Sequence, residues 1–89
     1  MVRAWEADPS AQFDHRLGKS ARELDRSAIK DECPDIWMLD NGDVAVIGRD
    51  LTDAYSSRLP EGVTLAPDER LVVIPGTMVT AAKADIPDA

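Results

Sequence analysis

The side chains in this sequence that could do chemistry are few and far apart. It holds one histidine, His15, and one cysteine, Cys33. Nucleophilic catalysis needs a base within hydrogen-bond reach of the nucleophile and a third group to orient that base. On the helical reading below, His15 and Cys33 lie about five turns apart, so they read as a surface imidazole and an inert thiol. One Cys and one His also fall short of the four ligands of a structural zinc site. Asp40-Asn41-Gly42-Asp43 superficially matches a calcium loop. The EF-hand pattern, however, needs a bidentate Glu at its twelfth position, which here is Leu51. Asp50 and Asp53 read as a helix cap and a first-turn acid rather than as a catalytic carboxylate pair. Pro75-Gly76-Thr77 has no adjoining lysine to make a phosphate loop. These residues predict no catalytic group, no metal site and no cofactor, hence a protein that is not an enzyme.

The stretch that organises the chain is Asp35–Gly48, two apolar runs separated by Asn41-Gly42. Both central positions of a type I′ turn need φ > 0, which Asn and Gly tolerate best, so this pattern predicts a β-hairpin. With Asn41 and Gly42 as the two turn residues, Leu39 faces Val44, Trp37 faces Val46 and Ile36 faces Ile47. One face then holds Trp37, Leu39, Val44 and Val46, and the other Ile36, Met38, Ala45 and Ile47. Neither face is polar, so both call for cover, one from helices of this chain and the other from more of the chain or from a partner.

Upstream, Asp8-Pro9 suits a helix start, with Asp8 as N-cap. Phe13, Leu17, Ala21, Leu24 and Ala28 recur at steps of three and four and draw an apolar stripe. Arg16, Lys19, Arg22, Arg26 and Lys30 draw a basic stripe opposite. The periodicity predicts an amphipathic helix over 9–31, bent at Gly18, ending before Pro34. Gly18 followed by Ser20-x-x-Glu23, a capping box, is the signature of the alternative, two helices with a break between them. Downstream, Asp50 caps a short helix over Leu51–Leu59, Leu71–Ile74 reads as a third strand, and Thr77 caps a last helix that reaches toward Ile86. The order α–β–β–α–β–α predicts one small α+β domain over 1–89, with a core over 35–86, residues 1–8 frayed, and a three-stranded, mostly antiparallel sheet.

The chain has 89 residues, 44% of them hydrophobic, and a net charge of −7. That sign opposes a sequence-independent grip on nucleic acid or on an anionic membrane. Residues 1–30 contribute six of the 10 Lys and Arg and five of the 17 Asp and Glu, about +1, and residues 31–89 the remaining four and twelve, −8. No run approaches the roughly 20 apolar residues of a membrane span, and the start of the chain lacks the apolar core of a secretory signal. With a single cysteine, the chain reads as cytoplasmic.

Cys33-Pro34, Asn41–Asp53 (NGDVAVIGRDLTD), Leu59–Val63 (LPEGV) and Pro67–Pro75 (PDERLVVIP) together resemble a group of small actinobacterial proteins that accompany helix-turn-helix transcription regulators. The resemblance covers about residues 33–75 and lies in turn and strand residues. It implies an accessory role in regulation and supplies no site residues. The expected function is therefore a protein–protein interaction module that serves a regulator and associates with itself. Its expected contact residues are Arg16, Lys19, Arg22, Arg26 and Lys30 on the basic stripe and Ile36, Trp37 and Met38 on the hairpin. The alternative is a DNA-binding regulator or antitoxin that uses the basic helix.

Overall fold

The computed structural model describes residues 5–21, 23–24 and 34–87. In chain order it has β1 (Phe13–Arg16), β2 (Asp35–Leu39), β3 (Val44–Ile47), β4 (Arg49–Asp50), α1 (Thr52–Tyr55), β5 (Val72–Val73) and α2 (Gly76–Ala82), which runs on into a 3-10 turn, Lys83–Asp85. β1, β2 and β3 form an antiparallel sheet in that order, and β4 pairs antiparallel with β5 in a second, two-stranded sheet. This is an α+β arrangement with short helices. The third strand read at Leu71–Ile74 is present as β5, but it joins the small sheet. The third strand of the main sheet is β1.

β1 occupies part of the segment whose periodicity predicts a helix. The helix expected over 9–31 is therefore corrected over 13–16, while residues 22 and 25–31 of that reading lie outside the described residues. The local cause is at Asp8-Pro9. The Asp8 carboxylate accepts from the Ser10 N–H (2.9 Å) and the Ser10 hydroxyl (2.6 Å), and the Ala11 N–H donates to the Asp8 carbonyl. The same side-chain chemistry that caps helices here closes a turn. The chain leaves that turn extended and docks on β2. The Gln12 N–H donates to the Asp40 carboxylate, and the Asp40 N–H donates to the Gln12 carbonyl (2.9 Å). A long-range ladder thus overrides a local helical pattern, as tertiary context often does.

Gly18 ends this stretch with φ of +77°, a left-handed conformation that side chains other than glycine adopt at a cost. A Cβ there would stand 2.7 Å from the Ala82 backbone nitrogen, so the absent side chain lets the corner press on α2. Beyond it the capping box forms. The Ser20 N–H and hydroxyl donate to the Glu23 carboxylate, and the Glu23 N–H donates to the Ser20 hydroxyl. The backbone bonds of Ser20 hold the exposed Glu23 carboxyl below its ordinary range.

β2 and β3 pair, but not through a two-residue turn. The register is Met38↔Val44, Trp37↔Ala45, Ile36↔Val46 and Asp35↔Ile47, one residue off the alignment expected from Asn41-Gly42. Three residues, 40–42, make the connection. The Leu39 N–H donates to the Asp43 carbonyl, the Asn41 side chain binds Asp43, and Gly42 takes a positive φ, +89°. Three-residue hairpin loops with a left-handed Gly are the usual alternative to the two-residue form. The slip reassigns the faces. Ile36 and Met38 share one with Val44 and Val46, and Asp35 and Trp37 share the other with Ala45 and Ile47.

The buried core joins Leu17, Ile36, Met78 and Ala82, with Leu24, Met38 and Ile74 packed against it. It lies where the first face of β2 meets α2. Thr77 lies inside α2 rather than capping it; the turn opens with the Met78 N–H donating to the Pro75 carbonyl. Asp50 lies one residue outside α1, whose N-cap is Leu51 with no side-chain cap bond, and the helix expected over Leu51–Leu59 is only Thr52–Tyr55. The Asp50 carboxylate accepts from the Thr52 hydroxyl (2.7 Å) and the Thr52 N–H (3.0 Å) and so closes a turn just ahead of the helix. Those bonds, the hydroxyl first, lower its pKa.

Candidate functional site

The basic stripe is not assembled among the described residues. Arg16, its first member, lies in β1 and turns onto the second face of the sheet. Its Nε donates to Asp35 Oδ1 at 2.8 Å and its Nη2 to Asp35 Oδ2 at 2.9 Å. Its guanidinium also stacks on the Trp37 ring, 4.8 Å from the centroid. Phe13 meets the same ring edge-on at 5.7 Å. Lys19 is exposed beyond Gly18. Arg22, Arg26 and Lys30 lie outside the described residues.

Asp35 is the one polar residue buried in this arrangement. Burial alone would raise its pKa. The Arg16 side chain, bonded to the carboxylate through Nε and Nη2, leads Trp37 and the Ile36 N–H in outweighing burial and holds it below the ordinary range. A bidentate Arg–carboxylate pair with an aromatic lid is a strong, geometrically fixed contact. It staples β1 to β2, so Arg16 and Asp35 hold the sheet together and Trp37 is half covered by them.

The hairpin residues expected at a contact surface separate. Ile36 is a core residue, Met38 packs against the core, and Trp37 lies under Phe13 and Arg16. Of the hairpin's apolar side chains, those that remain open to water are on β3: Val44 at 49%, Val46 at 42% and Ile47 at 42% exposed. Phe13 adds to the second face at the other end of the sheet. So the expected two-sided cover of the hairpin extends over β2 and stops short of β3. β3 is also the edge of its sheet. Odd-numbered residues make its bonds to β2, as the Leu39–Asp43 bond fixes. The N–H and C=O groups of Val44 and Val46 therefore point away from β2, along the open edge.

Other candidates for chemistry do not converge. His15 is exposed on β1, with Nδ1 2.6 Å from the neighbouring Asp14 carboxylate. Cys33 lies outside the described residues. A surface groove is lined by Asp50, Thr52, Asp53 and Arg70, but Thr52 and Asp50 are bonded to each other there, and the Thr52 hydroxyl also accepts from the Leu71 N–H. Among the described residues no group of His, Cys, Asp and Glu is placed to hold a metal ion, and no helix is long and apolar enough to cross a membrane. Comparison with protein-family profiles, curated proteins and solved structures gives no match.

The sequence reading missed Val44, Val46 and Ile47 because the edge position of β3 follows from β1 docking on the far side of β2. The one available signal was the apolar second face of the hairpin, read without knowing which strand would be central.

Proposed function

We propose that this chain is a non-enzymatic protein–protein interaction module whose contact surface is the open side of β3. The observation that carries this reading is an edge strand with three exposed β-branched side chains and outward backbone groups. Such an edge is a template for pairing with another chain, and extended segments commonly add to one. Asp43 at one end and Arg49 beyond the other supply charges that would fix a partner's register. The resemblance read in residues 33–75 to proteins that accompany helix-turn-helix regulators implies that the module serves a regulator.

The DNA-binding alternative has less support. It needs a basic helical face, and Arg16 is instead ion-paired in a strand.

Co-purification tests the proposal. Tagged wild-type chain should recover a helix-turn-helix regulator from its native cells, and Val44→Lys/Val46→Lys should recover much less while keeping its far-UV spectrum. Equal recovery by the variant would move the contact surface elsewhere. No regulator with the wild type would remove the regulatory role.

A further inference from the structure

We propose that the partner on the β3 edge is β3 of a second copy of this chain, paired antiparallel across a two-fold axis at Val46. This rests on the reading of β3 as the contact surface and names its occupant. The strand is self-complementary about that point. Val46 would face Val46 of the second copy. Counting three residues each way, Asp43 would face Arg49 of the second copy and Arg49 its Asp43, so two opposite-charge pairs close the ends of one ladder. Between them Val44 would face Gly48, whose Cβ position is taken up by the Val73 carbonyl and the Ile74 side chain of the same chain, and Ala45 would face Ile47.

The hydrogen-bond phase fits. In an antiparallel pair centred on Val46, the residues that exchange backbone bonds are 44, 46 and 48. The groups of Val44 and Val46 are the ones directed away from β2. Beyond Gly48, β4 bonds to β5 through residues of the same odd parity, as Arg49↔Val73 and the Leu51 N–H to Leu71 carbonyl bond show. β2 and β5 thus take one parity and leave the other.

The faces fit as well. Val46 and Val44 of both copies would continue the apolar face that begins with Ile36 and Met38. Ala45 and Ile47 would extend the opposite face beside Trp37. The result is a continuous six-stranded sheet with two unlike charges meeting at each end. Isologous pairing of this kind uses one patch on both subunits. About seven residues a side is smaller than a standard stable interface, so association should depend on protein concentration.

Charge reversal tests the register. Sedimentation equilibrium should show the wild type passing from monomer to dimer as concentration rises. Asp43→Arg places Arg opposite Arg at both ends, and Arg49→Asp places Asp opposite Asp. Each should weaken self-association by about tenfold or more. An equimolar mixture of the two variants restores both unlike pairs and should dimerise like the wild type. Val46→Pro, which removes an outward N–H without touching the β2 ladder, should abolish dimerisation and serves if Asp43→Arg fails to fold. A wild type that stays monomeric at the highest attainable concentration overturns the proposal. So does a dimer indifferent to these changes, or a mixture that fails to restore it. Regulator recovery is scored separately: if it persists without a dimer, the module reading stands and only the second copy falls.

Discussion

β2 and β3 are neighbours of similar character, five and four residues of mostly apolar side chains joined by a short loop. Their fates differ. Ile36 and Val46 face each other in the ladder and share a face of the sheet, yet Ile36 is 7% exposed and Val46 is 42% exposed. Composition does not separate them, but position does. β2 has a strand on each side and α2 across its first face, whereas β3 has one neighbour and an open edge. An apolar side chain tells where burial is favourable. Which strand receives the cover is decided by what docks on it from a distance.

The largest effect expected from breaking this contrast is on the buried side of it. Ile36→Ala should cost about 2–4 kcal/mol in urea unfolding, because it removes apolar volume from the centre of the core. Val46→Ala, directly opposite, should cost under about 1 kcal/mol in dilute protein. Equal losses at the two positions would mean that β3 is as well packed as β2. Gly18→Ala sharpens the contrast by disturbing what covers β2. It forces a side chain into a left-handed backbone and against the Ala82 nitrogen, at a cost of about 2 kcal/mol or more, with the midpoint of denaturation as the readout.

The staple on the second face is next in size. Asp35→Ala should cost about 1–2 kcal/mol, since Arg16, with its side chain 36% exposed, can still reach water. The pH dependence follows from the lowered pKa of Asp35. Its contribution is fully present above the ordinary carboxylate value and is lost as pH falls from there through the lowered folded value. Acid titration of stability should show that loss in the wild type and less of it in Asp35→Asn. The same loss in both would place the acid sensitivity elsewhere. The smallest effect is expected at the edge itself. Val44→Thr should shift monomer stability by no more than about 0.5 kcal/mol, while weakening any association through β3.

How much of this was legible in the residues divides along the same line. The two apolar runs at 35–39 and 44–47 read as strands, and the capping box at Ser20 and Glu23 was visible as the weaker of two alternatives. Both depend on side chains within a few residues of one another. The register did not follow from Asn41-Gly42, because a loop one residue longer still gives Gly42 its positive φ and lets Asn41 bind Asp43. β1 was misread because Phe13, Leu17, Ala21 and Leu24 keep a helical step that β1 then divides, with Phe13 exposed on one face while Leu17 and Ala21 are buried. The partner that draws 13–16 into a strand lies 19 to 28 residues away, at Asp35, Trp37 and Asp40. The basic stripe depended on that helix, and Arg16 left it for Asp35. Val44, Val46 and Ile47 entered the candidate surface only once the order β1-β2-β3 made β3 the rim.

Amide hydrogen exchange along β3 tests that surface most directly. In dilute protein the Ala45 and Ile47 amides, bonded to β2, should exchange slowly and the Val44 and Val46 amides quickly. As protein concentration rises, Val44 and Val46 should become protected while Ala45 and Ile47 change little. Val44 and Val46 amides that are as slow as their neighbours at every dilution, or that stay fast at every concentration, would contradict the account.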